Sequence, residues 1–255
     1  MTHPASRRLI VALDFDSVDA AYALAKPLVG LVGLFKIGKQ LFTAEGPDAV
    51  RQISSLGVGI FLDLKYHDIP NTVNGALRAA ASLPGIELVN IHTLGGPVMM
   101  KSAAETLAAI PNRPDLLGVT ILTSMDAMQM SAVGISGTPS KRALALAKLA
   151  KKSGLDGVVA SAHEVKALRK ACGKNFILAI GGIRPERGAG QQAVRMVNGP
   201  KGRRDDQSRI ATPGATIRAG ATYLIVGRPI NAAPDPVAAT HAILDEIAEA
   251  ESSQK

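Results

Sequence analysis

The chain has 255 residues and a formal net charge of +8; 47% of its residues are hydrophobic and only 3% aromatic. That length suits one α/β barrel or two small domains, and without Trp the core must be built from Ala, Val, Leu and Ile. The single cysteine, Cys172, excludes an internal disulfide and any multi-cysteine metal site, and fits a reducing cytoplasm.

Residues 1–8 lack the apolar h-region of a secretory signal, and no stretch approaches the roughly 20 apolar residues that span a bilayer. A soluble, cytoplasmic protein without a membrane partner is expected. The positive charge favours anionic partners. Its densest cluster, Lys201, Arg203, Arg204 and Arg209, is interrupted by Asp205 and Asp206, and no zinc-finger or aromatic-rich RNA-binding signature appears. A small phosphorylated substrate is therefore expected rather than nucleic acid.

In chain order, β-rich runs occur at 9–13, 31–37, 58–64, 87–91, 116–121, 157–160, 176–180 and 223–226. Ala-rich helical segments fall between them, at 18–29, 49–56, 73–83, 98–110, 141–153, 163–171 and 213–219, and 236–251 closes the chain. Alternation of this kind predicts a parallel sheet with helices outside it. Eight strands over this length favour a single-domain (β/α)8 TIM barrel spanning residues 1–255. Pro97, Pro139 and Pro213 each suit the first turn of a helix. The Gly- and Arg-rich insertion 187–206 has no periodicity, and the stretch 185–207 is expected to be a lid loop on the phosphate side.

The third run carries the most informative residues. Asp63 and Lys65 follow the apolar run 58–62 and, two apart in an extended chain, leave the same face. Asp68 follows, and Ile69-Pro70 prevents an immediate return to strand. Charges at the mouth of an apolar strand are costly to desolvate unless they pair. A purely structural ion-pair network is the plainer reading. However, Asp14, Lys36, Asp63, Lys65, Thr123, Arg184 and Arg228 all fall at or just beyond the C-terminal ends of predicted strands. In a barrel those ends form the catalytic face.

Gly227-Arg228-Pro229 follows the eighth run, where barrels often bind phosphate, and Arg228 offers a planar fork for two oxygens. Gly181-Gly182-Ile183-Arg184-Pro185 occupies the companion place after the seventh, and Gln207 could reach back over the same phosphate. Gly33–Lys39 imitates a P-loop, but Gln40 replaces the Ser or Thr that would hold magnesium, and its interior is apolar strand. No dinucleotide fingerprint exists. Asp63, His67 and Asp68 could in principle hold a metal, yet Lys65 between the carboxylates already supplies positive charge. His67 and His92 read as supports of their loops.

The decapeptide Asp63-Leu64-Lys65-Tyr66-His67-Asp68-Ile69-Pro70-Asn71-Thr72 resembles the signature of the orotidine 5′-phosphate decarboxylase family, in its common bacterial form. The likeness continues through Val11-Ala12-Leu13-Asp14, Phe35–Lys39, Leu122–Met125, Gly182–Pro185 and Val226–Pro229, in matching order. The resemblance implies a homodimeric barrel that removes CO2 from pyrimidine C6 with neither cofactor nor metal, forming UMP. It implies that Lys65 is the proton donor, in an alternating array with Lys36, Asp63 and Asp68, the last reaching the partner subunit's site. Asp14 and Lys36 would hold ribose hydroxyls with Thr72 in support. Thr123 would contact the pyrimidine, and Arg184, Gln207, Gly227 and Arg228 the phosphate. Two departures stand out: Gly181 where many bacterial relatives have Pro, and a longer segment from Pro185 to Gln207. The alternative within the barrel superfamily is a magnesium-dependent sugar-phosphate decarboxylase or aldolase.

Overall fold

A computed structural model describes residues 3–185 and 211–253. Eight parallel strands close into a barrel: β1 (Leu9–Ala12), β2 (Leu34–Gly38), β3 (Gly59–Tyr66), β4 (Ile86–His92), β5 (Asp115–Val119), β6 (Gly157–Ser161), β7 (Ile177–Gly181) and β8 (Tyr223–Val226). Each pairs with the next in sequence, and β8 pairs with β1 to complete the ring. The (β/α)8 expectation holds, and all eight expected strands are present with ends shifted by a few residues.

Period-two alternation builds two apolar layers. Residues pointing outward, such as Val11, Phe35, Ile37, Leu62 and Val89, pack with the helices in the main core. Residues pointing inward, namely Ile10, Leu34, Phe61, Leu88, Leu117 and Ala179, fill the barrel's interior. Two residues further along the same inward face, the chemistry changes. Ile10 gives way to Ala12, Leu34 to Lys36, Phe61 to Asp63 and Leu88 to Asn90. The interior is thus a dry floor with a polar layer set on it toward the strands' C-terminal ends.

Pro97, Pro139 and Pro213 do stand in first helical turns, and Thr138, Thr212 and Asp235 cap helices by accepting hydrogen bonds from Lys141 N, Ala215 N and Ala238 N. Three α-helices among the described residues were not anticipated, one of them the single turn Arg228–Asn231 after β8. Lys39–Glu45 has only Leu41 and Phe42 as large apolar residues, too few to display a period. Ala127–Ala132 is one short helix whose signal is its capping box, Asp126 with Gln129, rather than an apolar stripe. The expected strand at 31–37 begins only at Leu34 and runs through Gly38. The residues of Leu34–Gly38 are all buried and Lys39 opens the next helix, so the interior of the stretch Gly33–Lys39 is strand and no P-loop. The expected lid, apart from Pro185, and Gln207 lie outside the described residues. No helix among the described residues is long and apolar enough to cross a membrane.

Candidate active site

A cavity of about 320 Å3 opens at the C-terminal ends of the strands. Its wall includes Asp14, Lys36, Asp63, Lys65, Thr123, Arg184, Gly227 and Arg228, so most of the polar residues singled out in the sequence converge on it. Asp68 and Thr72 do not line it; both are exposed, at the β3–helix turn and on the helix Pro70–Ala81. The Asp68 carboxylate accepts a hydrogen bond from Ile69 N–H at 2.6 Å.

Four charges form a chain across the floor of the cavity. Lys36 Nζ lies 3.0 Å from Asp14 Oδ1 and 3.3 Å from Asp63 Oδ2, and Lys65 Nζ lies 2.6 Å from Asp63 Oδ1. Lys36 and Asp63 are each only 8% exposed. Burial pulls the Lys36 ammonium toward neutrality, but the Asp63 and Asp14 carboxylates outweigh it and leave its pKa above the ordinary lysine value. Burial likewise favours a neutral Asp63, yet Lys36 and Lys65 overcome it, aided by hydrogen bonds from Lys65 and Asn90. Lys36 and Asp63 therefore stay ionised at neutral pH despite being largely out of water.

The expectation that Asp63 and Lys65 share a face because the chain is extended needs correction. The two side chains do meet, but Lys65 has φ 52°, in the left-handed region. The register explains how. Leu62 pairs with Val89 and Tyr66 with Ile91, so Asp63, Leu64 and Lys65 stand opposite Asn90 alone. A bulge of this kind turns a side chain where a regular ladder could not. A left-handed lysine is unfavourable in isolation, and its neighbours must hold it.

Two site residues were missed in the sequence. Asn90, fully buried, accepts a hydrogen bond from Lys65 N–H at 2.7 Å and donates one to Asp63 Oδ1 at 2.6 Å. Its signal was an amide inside an otherwise apolar strand. Gly38 is the other: a Cβ there would come 2.8 Å from Lys36 Nζ and 3.2 Å from Asp14 Oδ1, pushing the ammonium from its partner. By contrast, a Cβ at Gly181 meets open space, so packing does not demand glycine there.

His67 and His92 stack at 5.4 Å between ring centroids. His92 Nδ1 accepts from Leu94 N–H, which supports its turn as expected. Burial, then the neighbouring His67, Lys39 and Lys65, push the His92 pKa down to about 4, so it is neutral at physiological pH. Among the described residues, no group of three or more His, Cys, Asp or Glu side chains is arranged to hold a metal. Cys172 is buried at the end of its helix, with Lys151 Nζ on its carbonyl oxygen.

Comparison with known proteins agrees with this geometry. The family profile described as "Orotidine 5'-phosphate decarboxylase / HUMPS family" matches residues 7–243. A protein named orotidine 5′-phosphate decarboxylase from Nitrosococcus oceani is 47% identical over 240 residues, covering 94% of this chain and 97% of that protein. One of the same name from Halorhodospira halophila is 46% identical, covering 98% of this chain and 100% of its own. The crystal structure of orotidine 5′-phosphate decarboxylase from Lactobacillus acidophilus superposes with a TM-score of 0.74 at 37% identity, over 94% of this chain and 99% of that one. With its barrel, its charged floor and this likeness along nearly its whole length, the chain belongs to the orotidine 5′-phosphate decarboxylase / HUMPS family.

Proposed function

We propose that the chain decarboxylates orotidine 5′-phosphate to UMP, a step of pyrimidine biosynthesis, with Lys65 as the proton donor. The observation that carries this reading is the ion chain Asp14–Lys36–Asp63–Lys65 on the floor of a cavity whose wall also holds Arg184 and Arg228. The C6–carboxyl bond breaks, CO2 departs, and the electron pair remains on C6 with no conjugated carbonyl to receive it. The Lys65 ammonium beside C6 stabilises that charge and then transfers a proton to it; solvent reprotonates the amine. A fixed ammonium acts on charge that develops only in the transition state. At about 4 Å and an effective dielectric of about 20, the contact is worth roughly 4 kcal/mol before screening.

Asp63 keeps the Lys36 ammonium charged, pairs with Lys65 at 2.6 Å and repels the substrate carboxylate, a repulsion that ends when CO2 leaves. Asp14 and Lys36 hold ribose hydroxyls, Thr123 meets the pyrimidine, and Arg184, Gly227 and Arg228 bind the phosphate. Gln207, outside the described residues, is assigned to the phosphate in the same reading. Phosphate binding far from C6 then supplies energy to order the site. Asp68 and Thr72, exposed in one chain, serve the neighbouring site of a homodimer. The adjoining apolar surface supports that assignment: Ile69 is 67% and Val98 72% exposed.

The test follows loss of orotidine 5′-phosphate absorbance with a chelator in excess. Full turnover is expected. Activity that disappears with the chelator and returns with magnesium would favour the metal-dependent sugar-phosphate reaction of the same barrel superfamily. Lys65→Ala is expected to lower kcat by about 10³-fold or more while the fold, followed by circular dichroism, persists.

A further inference from the structure

Asn90 lies beneath the proposed proton donor without lining the cavity, and both ends of its amide are engaged. The partner at one end is a backbone N–H, which can only donate, so the end facing Lys65 must be the amide oxygen. The NH2 end is thereby aimed at Asp63 Oδ1, the same oxygen that receives Lys65 Nζ. Asn90 also sits at the single β4 position opposite Asp63, Leu64 and Lys65, where the regular ladder is interrupted. Its oxygen replaces the ladder acceptor that the Lys65 N–H has lost, at a residue whose φ of 52° needs outside support.

We propose that Asn90 is a positioning residue for the reaction: one amide clamps the β3 bulge that turns Lys65 into the cavity and orients the Asp63 carboxylate that holds its ammonium. The residue type follows from the two demands. An apolar side chain would leave a half-buried N–H without an acceptor. An aspartate would satisfy that N–H but set a second carboxylate against Asp63. Only a side chain that accepts at one end and donates at the other, at this length, meets both. The inference rests on the proposed role of Lys65.

Two variants test it, Asn90→Ala and Asn90→Asp, each assayed for kcat and KM on orotidine 5′-phosphate, for equilibrium binding of UMP and for melting temperature. For Asn90→Ala, kcat should fall about 10²-fold, as expected when a reacting group is misplaced by about 1 Å. UMP affinity should stay within about threefold, because the ribose and phosphate contacts are untouched. For Asn90→Asp, the ratio of its kcat to that of the wild type should rise as the pH is lowered from about 8 to about 5.5, since a protonated carboxyl can accept from Lys65 N–H and donate to Asp63 as the amide does. A kcat within twofold of wild type for Asn90→Ala would overturn the proposal. So would a ratio that does not change with pH for Asn90→Asp. Equal losses of kcat and UMP binding in step with a lower melting temperature would mark Asn90 as a general support of the fold and overturn it too. Wild-type protein without activity on orotidine 5′-phosphate would refute the substrate reading itself, a result visible before either variant is made.

Discussion

Asp63 has three polar contacts to reconcile in a space that excludes nearly all water: two ammonium groups and one amide. Removing its charge leaves Lys36 and Lys65 facing each other with only Asp14 to compensate. Asp63→Asn is expected to lower kcat by about 10²-fold or more, read by steady-state kinetics at saturating substrate. His92 makes a different kind of prediction, about stability. In the unfolded chain it titrates near 6.5, whereas in the fold its pKa is about 4. Between those values the unfolded chain binds the extra proton, so the His92 contribution is intact above about pH 7 and is lost as pH falls from 6.5 toward 4. Melting temperatures of wild type and His92→Gln measured over that window should converge toward the acid end; parallel curves would refute the assignment. The paired residues were legible in the sequence because charges rarely follow a buried strand without a reason. Asn90 was less so, since a single uncharged amide in a strand is compatible with many structural roles.

At the scale of elements, the barrel's two ends have separate tasks. The β3–β4 bulge at one end shapes the site. At the other, Arg169 ties the loops before β7 and β8 together: Nε donates to Gly220 O at 2.9 Å, Nη1 to Gly173 O at 2.6 Å and Phe176 O at 2.7 Å, and Nη2 to Thr222 Oγ1 at 3.1 Å. Nothing in the sequence distinguishes it from the other basic residues of its helix, Val165–Cys172. Arg169→Ala strips partners from several carbonyls at once and should destabilise by about 2 kcal/mol or more, read as a lower urea midpoint. Its kcat per folded molecule should be unchanged, because these loops face away from the cavity. Strands and long helices were legible from periods of 2 and 3.6. The bulge was not, because alternation reports which face a residue takes only while the ladder stays regular.

For the whole molecule, the proposed role of Asp68 requires a second copy of the chain. In one chain it is exposed and outside the cavity, beside the apolar surface of Ile69, Leu94 and Val98. A second copy related by two-fold symmetry would cover that surface and bring each Asp68 to the other's cavity. Mixing inactive Lys65→Ala and Asp68→Ala subunits should then restore activity. Half the dimers are hybrids, and each hybrid has one intact site, so about a quarter of wild-type turnover is expected. No recovery after subunit exchange, proven by a tagged hybrid, would refute the shared site.

What the sequence determined by itself was the class of the fold, the order of its strands, and the kinds of side chain gathered at their C-terminal ends. These depend on short-range periodicity and on motifs that are contiguous in the chain. Tertiary structure decided the left-handed Lys65, the two hydrogen bonds of Asn90 and the close approach of Gly38 to Asp14 at the Lys36–Asp14 ion pair. The reason is physical. Each depends on a distance between atoms far apart in the chain, from β4 to β3 or from β1 to β2, and only closure of the barrel sets those distances.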